Sequence, residues 1–122
     1  MKKRMPCYFE ELGFMNKYLD IDASAVKAMM ANEKIRLIDV RNLDEVVRGI
    51  LPHAIHIPLS LIPDQDFEPI ANEKIIFYCH SGIRSAQAAA FVADKLDTQT
   101  YNLRGGILAW GREGFPFAEY QL

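Results

Sequence analysis

The spacing of apolar positions changes several times along this chain, and each change marks an element. The run YLDI at Tyr18–Ile21 is a short strand candidate. Asp22 stands where a carboxylate can accept the free amides of a first helical turn. Within Ala23–Asn32, Val26, Met29 and Met30 then recur at helical spacing, a stripe read as ordinary core. Residues 35–40, IRLIDV, are branched and apolar enough for a buried parallel strand, and the chain turns polar at Asp39 and Arg41. Asn42 is the cap of a short helix expected through Arg48, stopped by Gly49. Pro52, Pro58 and Pro63 leave room only for a brief strand at 54–57. The strongest strand is IIFY at 75–78, which ends at Cys79. In residues 84–96, Ala86, Ala89, Ala90 and Ala93 share one face, with Val92 and Leu96 beside them, so this helix can lie close to a sheet. A last strand, Thr100–Leu103, precedes Gly105-Gly106 and the helical ILAWGREG. No segment repeats. Strands alternating with helices predict an α/β fold, a mostly parallel five-stranded sheet with helices on both faces. Ligands of such sheets sit at the carboxyl ends of the strands, and Cys79 lies at one.

Composition narrows the setting. At 122 residues, half of them hydrophobic and a quarter charged, the chain holds one core. We read residues 18–122 as a single domain and residues 1–17 as an N-terminal extension, in which EELGFMNKY is a candidate amphipathic helix. The net charge of -2 argues against nucleic-acid or anionic-membrane partners. The start, MKKRMPCYFEELGF, is basic like a signal peptide, but Pro6, Glu10 and Glu11 interrupt the apolar run that export needs. No stretch approaches the roughly 18 apolar residues that span a bilayer. The expectation is a cytoplasmic, reducing location in which Cys7 and Cys79 are free thiols. For Cys7, packing or plain exposure is the default reading.

Cys79 is different because of what surrounds it. Between Tyr78 and the helix near Arg84 the chain has few residues in which to turn, which aims backbone amides inward as an anion-binding nest. Gly82 permits the turn, the helix N-terminus adds partial positive charge, and Arg84 brings a full one. A cysteine near pKa 8.5 is only about 3% thiolate at neutral pH, and a fall of two units makes roughly three quarters of it reactive, for about 2.7 kcal/mol. Cys79 is therefore a candidate nucleophile. The competing reading is a buried residue at a strand end, with Arg84 a solvated cap.

The segments YCHSGIRSA, LIDVRNLDEVVRGILPHAIHIPL and NLRGGILAW, in that order, resemble the rhodanese family of sulfurtransferases from about Tyr18 to Phe117. The resemblance implies that Cys79 carries a sulfane sulfur as a persulfide, taken from a donor such as thiosulfate and passed to cyanide or a thiol. It makes His80, Ser81, Gly82, Ile83, Arg84 and Ser85 the active-site loop. Four residues separate Cys79 from Arg84, whereas the related cysteine phosphatases and arsenate reductases have five, and Ser85 stands where their arginine would be. The shorter loop resembles the sulfur-transferring branch. Partners implied are a small-molecule sulfur donor and acceptor, with a protein donor or acceptor as a variant; no cofactor or metal is implied. A sulfur-carrier or sensor module with little thiosulfate turnover is the alternative, and a phosphatase or arsenate reductase-type enzyme is a minor one.

The supporting positions follow from the same resemblance. Asp39 and Arg41 match an Asp-x-Arg motif read mainly as a brace with Glu45, with a substrate role for Arg41 left open. Where the family commonly has Gly-His-Ile-Pro-Gly-Ala, this chain has Gly49-Ile50-Leu51-Pro52-His53-Ala54, without the histidine. His53, His56 and His80 form no recognisable metal-ligand spacing. Ser81 and Ser85 offer hydroxyl donors or caps. Trp110 and the Gly105-Gly106 turn are read as packing, and Arg104 as a residue able to face the site.

Overall fold

A computed structural model describes residues 17–68 and 70–121. Cys7 and the candidate helix EELGFMNKY, except for its end from Lys17, lie outside the described residues. The elements run β1 (Tyr18–Ile21), α1 (Ala23–Asn32), β2 (Lys34–Asp39), α2 (Leu43–Val46), β3 (Ile55–His56), a 3-10 helix (Leu59–Asp64), β4 (Glu73–Tyr78), α3 (Ile83–Leu96), β5 (Thr100–Leu103) and α4 (Gly106–Arg112). The strands form one five-stranded sheet in the order β1-β5-β4-β2-β3, and every neighbouring pair is parallel. No helix of the described residues is long and apolar enough to cross a membrane.

The central strand explains the layering. Successive side chains of a strand point to opposite faces. Ile75, Phe77 and Cys79 accordingly join Ile38, Val40, Ile62 and the α3 residues Ala88, Ala89 and Val92 on one face. Ile76 and Tyr78 join Leu37, Leu103, Ala23 and Val26 of α1, and Trp110 of α4, on the other. Each fully buried side chain of the size of Phe77 or Ile76 contributes about 1.5–3 kcal/mol. The alanines let α3 lie close to the sheet, and Thr100 Oγ1 donates to the Ala89 carbonyl at 2.7 Å. The methionine stripe of α1 packs against the second cluster, as its spacing predicts.

Local chemistry sets the ends of the elements. The Asp22 carboxylate accepts from the Ala25 amide at 2.8 Å, the expected cap. Helix α2 is shorter than expected, because the chain leaves it at Val47 and reaches Gly49 at φ 138°. Asn42 and Glu45 close its N-terminus as a reciprocal capping box. The 3-10 helix was not legible, since Pro63 inside it reads as a breaker. At the unusual Gly49–Ala54 segment, Ile50 is buried and bridges Ala118, and His53 takes a left-handed φ of 67°. His53 stands where the family pattern has its second glycine, the residue that adopts this conformation freely.

Candidate active site

The loop after β4 places a sulfur at the amino end of α3. Gly82 turns at φ 103°, and its amide donates to Cys79 Sγ at 3.1 Å. The Ser85 hydroxyl lies 3.4 Å from the same sulfur. Burial raises the Cys79 pKa, but the Ser85 hydroxyl and the amides of Ser85, Gly82 and Ser81 outweigh it, and the thiol sits below its usual value. Helix α3 has no side-chain cap at Gly82, so the sulfur occupies the position of an anion at its N-terminus. The residue is only 1% exposed, while its loop neighbours His80, Ser81 and Ile83 are exposed.

The Gly105-Gly106 turn does more than pack. Its helix α4 donates two amides to the loop, Ile107 N to the Cys79 carbonyl at 2.9 Å and Leu108 N to the His80 carbonyl at 3.3 Å. A Cβ on Gly106, whose φ is 59°, would lie 2.4 Å from the His80 oxygen and 2.5 Å from the Cys79 oxygen. With those carbonyls bound outward, the loop amides are left to face the sulfur. Arg104 is exposed at the end of β5, its amide donating to the Ile21 carbonyl at 2.8 Å.

The charged residues pair differently from the expectation. Arg41 Nε lies 3.1 Å from each Asp39 oxygen, and its Nη2 donates to Asp39 Oδ2 at 2.8 Å and to the Gly49 carbonyl at 2.7 Å. Glu45 does not hydrogen-bond to Arg41; its two oxygens take Arg84 Nη1 and Nη2 at 2.8 and 2.9 Å. The reason is position: α2 presents Glu45 toward the first turn of α3, while Asp39 is two residues from Arg41 on the same strand end. The Arg84 hydrogen bonds hold the Glu45 carboxyl down at about 2, against its burial. Those same bonds raise the Arg84 pKa, with a further contribution from the Cys79 sulfur. Arg84 is therefore a braced cation beside the loop, with part of its charge already offset.

One residue, Asn102, escaped the sequence reading. Asn102, buried on β5, accepts from Ser85 Oγ at 2.5 Å, and its Nδ2 donates to Asp20 Oδ1 at 2.9 Å and to the Gly82 carbonyl at 3.2 Å. It ties β5 and β1 to the loop. The available signal was a polar residue inside the strand TYNL. Of the histidines, His80 is exposed on the loop, His56 Nε2 pairs with the Arg41 carbonyl at 2.7 Å, and His53 sits in its turn. Among the described residues, no three His, Cys, Asp or Glu side chains converge as a metal site.

The family model for the Rhodanese-like domain matches residues 22–113. A protein of Allochromatium vinosum named "Sulfurtransferase" is 37% identical over 98 residues, covering 80% of this chain and 92% of that one. A "Putative sulfurtransferase" of Bacillus subtilis is 35% identical over 98 residues, covering 80% of this chain and 94% of the other. The crystal structure of a rhodanese-related protein from Thermoplasma volcanium superposes with a TM-score of 0.72 at 28% identity, over 83% of this chain and 98% of its own.

Proposed function

The chain belongs to the rhodanese-like domain family, and on that premise we propose that it is a sulfurtransferase working through a persulfide on Cys79. The observation that carries the proposal is the Cys79 sulfur held 3.1 Å from the Gly82 amide and 3.4 Å from the Ser85 hydroxyl at a helix N-terminus. In the first half, the thiolate attacks the outer sulfur of thiosulfate. A sulfur–sulfur bond forms to Cys79, the donor's sulfur–sulfur bond breaks, and sulfite leaves with the electron pair. In the second, an acceptor such as cyanide or a thiolate attacks the outer sulfur, and the pair returns to Cys79. Electrons balance without a cofactor. The same donors that favour the thiolate favour the persulfide anion, so one cradle serves both halves. His80, Ser81, Gly82, Ile83, Arg84 and Ser85 make the cradle and its rim, while Asp39, Arg41 and Glu45 hold the surrounding loops.

The test is thiocyanate formation from thiosulfate and cyanide by the wild type and Cys79→Ser. We expect turnover in the first and none above background in the second; equal turnover removes Cys79 from the reaction. A second reading is a sulfur carrier that turns thiosulfate over slowly, favoured by a Bacillus subtilis protein named "Putative sulfur carrier protein" that is 30% identical over 80 residues. A carrier gains one sulfur atom from a persulfide donor yet releases little thiocyanate.

A further inference from the structure

Asn102 is a polar residue inside β5, only 3% exposed, and both polar atoms of its side chain have partners. Parallel pairing of β1 with β5 sets it opposite Asp20, an exposed residue of the edge strand. Its Nδ2 donates to Asp20 Oδ1 at 2.9 Å and to the Gly82 carbonyl at 3.2 Å. These two acceptors fix which way the amide points, because the opposite orientation would set its oxygen against both of them. Oδ1 therefore faces the catalytic loop, where it accepts from the Ser85 hydroxyl at 2.5 Å. That hydroxyl lies 3.4 Å from Cys79 Sγ and has one hydrogen to give. A chain of side chains thus runs from Asp20 at the sheet edge through Asn102 and Ser85 to the sulfur.

We propose that Asn102 is a positioning residue for the sulfur: its Oδ1 holds the Ser85 hydroxyl while Cys79 is a neutral thiol and yields it to the sulfur once the sulfur is charged. The proposal rests on the reading of Cys79 as the sulfur-transferring nucleophile. No bond to hydrogen breaks at Ser85. The hydroxyl turns about its Cβ–Oγ bond, and the proton lost by the thiol goes to solvent. The exchange has a definite sign. The Ser85–Asn102 hydrogen bond exists in the thiol form and is given up in the thiolate, so Asn102 favours the thiol and offsets part of what the hydroxyl and the amides do. The effect suits an attacking sulfur, since the nucleophilicity of a thiolate falls as its pKa falls.

The pH dependence of iodoacetamide alkylation at Cys79 tests this in Asn102→Ala, in Ser85→Ala and in the double variant, each where urea titration shows it folded. Losing a neutral hydrogen bond from the thiol form alone should lower the alkylation pKa of Asn102→Ala by roughly half to one unit. In the Ser85→Ala background the same substitution should leave it unchanged, because no hydroxyl remains to be shared. A pKa that is unchanged or raised in Asn102→Ala, or an equal fall in the Ser85→Ala background, overturns the proposal. If Asn102→Ala does not fold, NMR of the side-chain amide of Asn102 decides the matter. Its resonances should shift with the Cys79 midpoint in the wild type and much less in Ser85→Ala, whereas a flat or equal response in the two proteins overturns the proposal. Thiocyanate formation by the wild type is measured in parallel. If that fails while the alkylation pKa moves as expected, the role of Asn102 stands and the sulfur-transfer reading falls.

Discussion

Replacing Ser85 with alanine asks where a single proton goes. The Ser85 hydroxyl has two acceptors in reach, Asn102 Oδ1 at 2.5 Å and Cys79 Sγ at 3.4 Å, and one hydrogen to give. With a neutral thiol, the shorter contact to Asn102 wins. Once the sulfur ionises, its charge draws the hydroxyl, because hydrogen bonds to charged groups are worth about 1.5–3 kcal/mol against about 1 for neutral ones. The long O···S distance and the competing amide place the gain near the low end, about 1.5 kcal/mol, which corresponds to about one pKa unit. Ser85→Ala should therefore raise the Cys79 pKa by about one unit and slow alkylation at a fixed pH below it roughly tenfold. The variant also leaves the Asn102 oxygen buried without a donor, at a cost of about 1–3 kcal/mol in stability. The assay is the pH dependence of iodoacetamide alkylation, run where urea titration shows the variant folded. An unchanged alkylation pKa in a folded variant would instead mean that the hydroxyl stays with Asn102 and the amides alone lower the thiol.

Four further outcomes follow from the local surroundings of particular residues. Gly106→Ala forces a Cβ to within 2.4–2.6 Å of the Cys79–His80 backbone at a left-handed φ, so it should lower stability by about 2–4 kcal/mol and sulfur transfer more than tenfold. Gly114→Ala, also left-handed but with open space around it, should cost only about 1–2 kcal/mol and spare activity, which turnover and urea midpoints will compare. His53→Gly removes left-handed strain at an exposed turn and should raise the urea midpoint by about 0.5–1 kcal/mol equivalent, with activity unchanged. Glu45 ionises at about 2 when folded against an ordinary 4.5, so its stabilisation is fully present above pH 4.5 and is lost as pH falls from there toward 2. The unscreened figure of roughly 3 kcal/mol shrinks to about 1 at a pair this exposed, and Glu45→Gln should flatten that part of the urea stability profile.

The sequence was most readable where one physical signal acted alone. Branched apolar runs marked β4 and β5, Asp22 marked the start of α1, and alanines at helical spacing marked the face of α3. The loop was readable because a glycine, a cysteine and an arginine must share a very short turn. Pairing across the sheet was not readable. Asn102 reaches Ser85 only because β5 lies beside β4 in parallel register, and Glu45 reaches Arg84 only because α2 folds over the start of α3. The Asp-x-Arg spacing correctly placed two charges at a strand end, yet a carboxylate two residues away outcompeted Glu45 for Arg41. Gly105-Gly106 looked like packing because its second role, holding two carbonyls of a loop 26 residues earlier, depends on a close approach that chain spacing does not encode.

The amides and hydroxyl that lower the Cys79 pKa should also stabilise one further sulfur upon it as a persulfide. Intact-mass spectrometry after brief exposure to thiosulfate, without reductant, tests this most directly. The expected result is a gain of one sulfur atom, located on Cys79 by peptide mapping, absent from Cys79→Ser and removed by cyanide. An unmodified wild-type mass, or the same gain in Cys79→Ser, would contradict it.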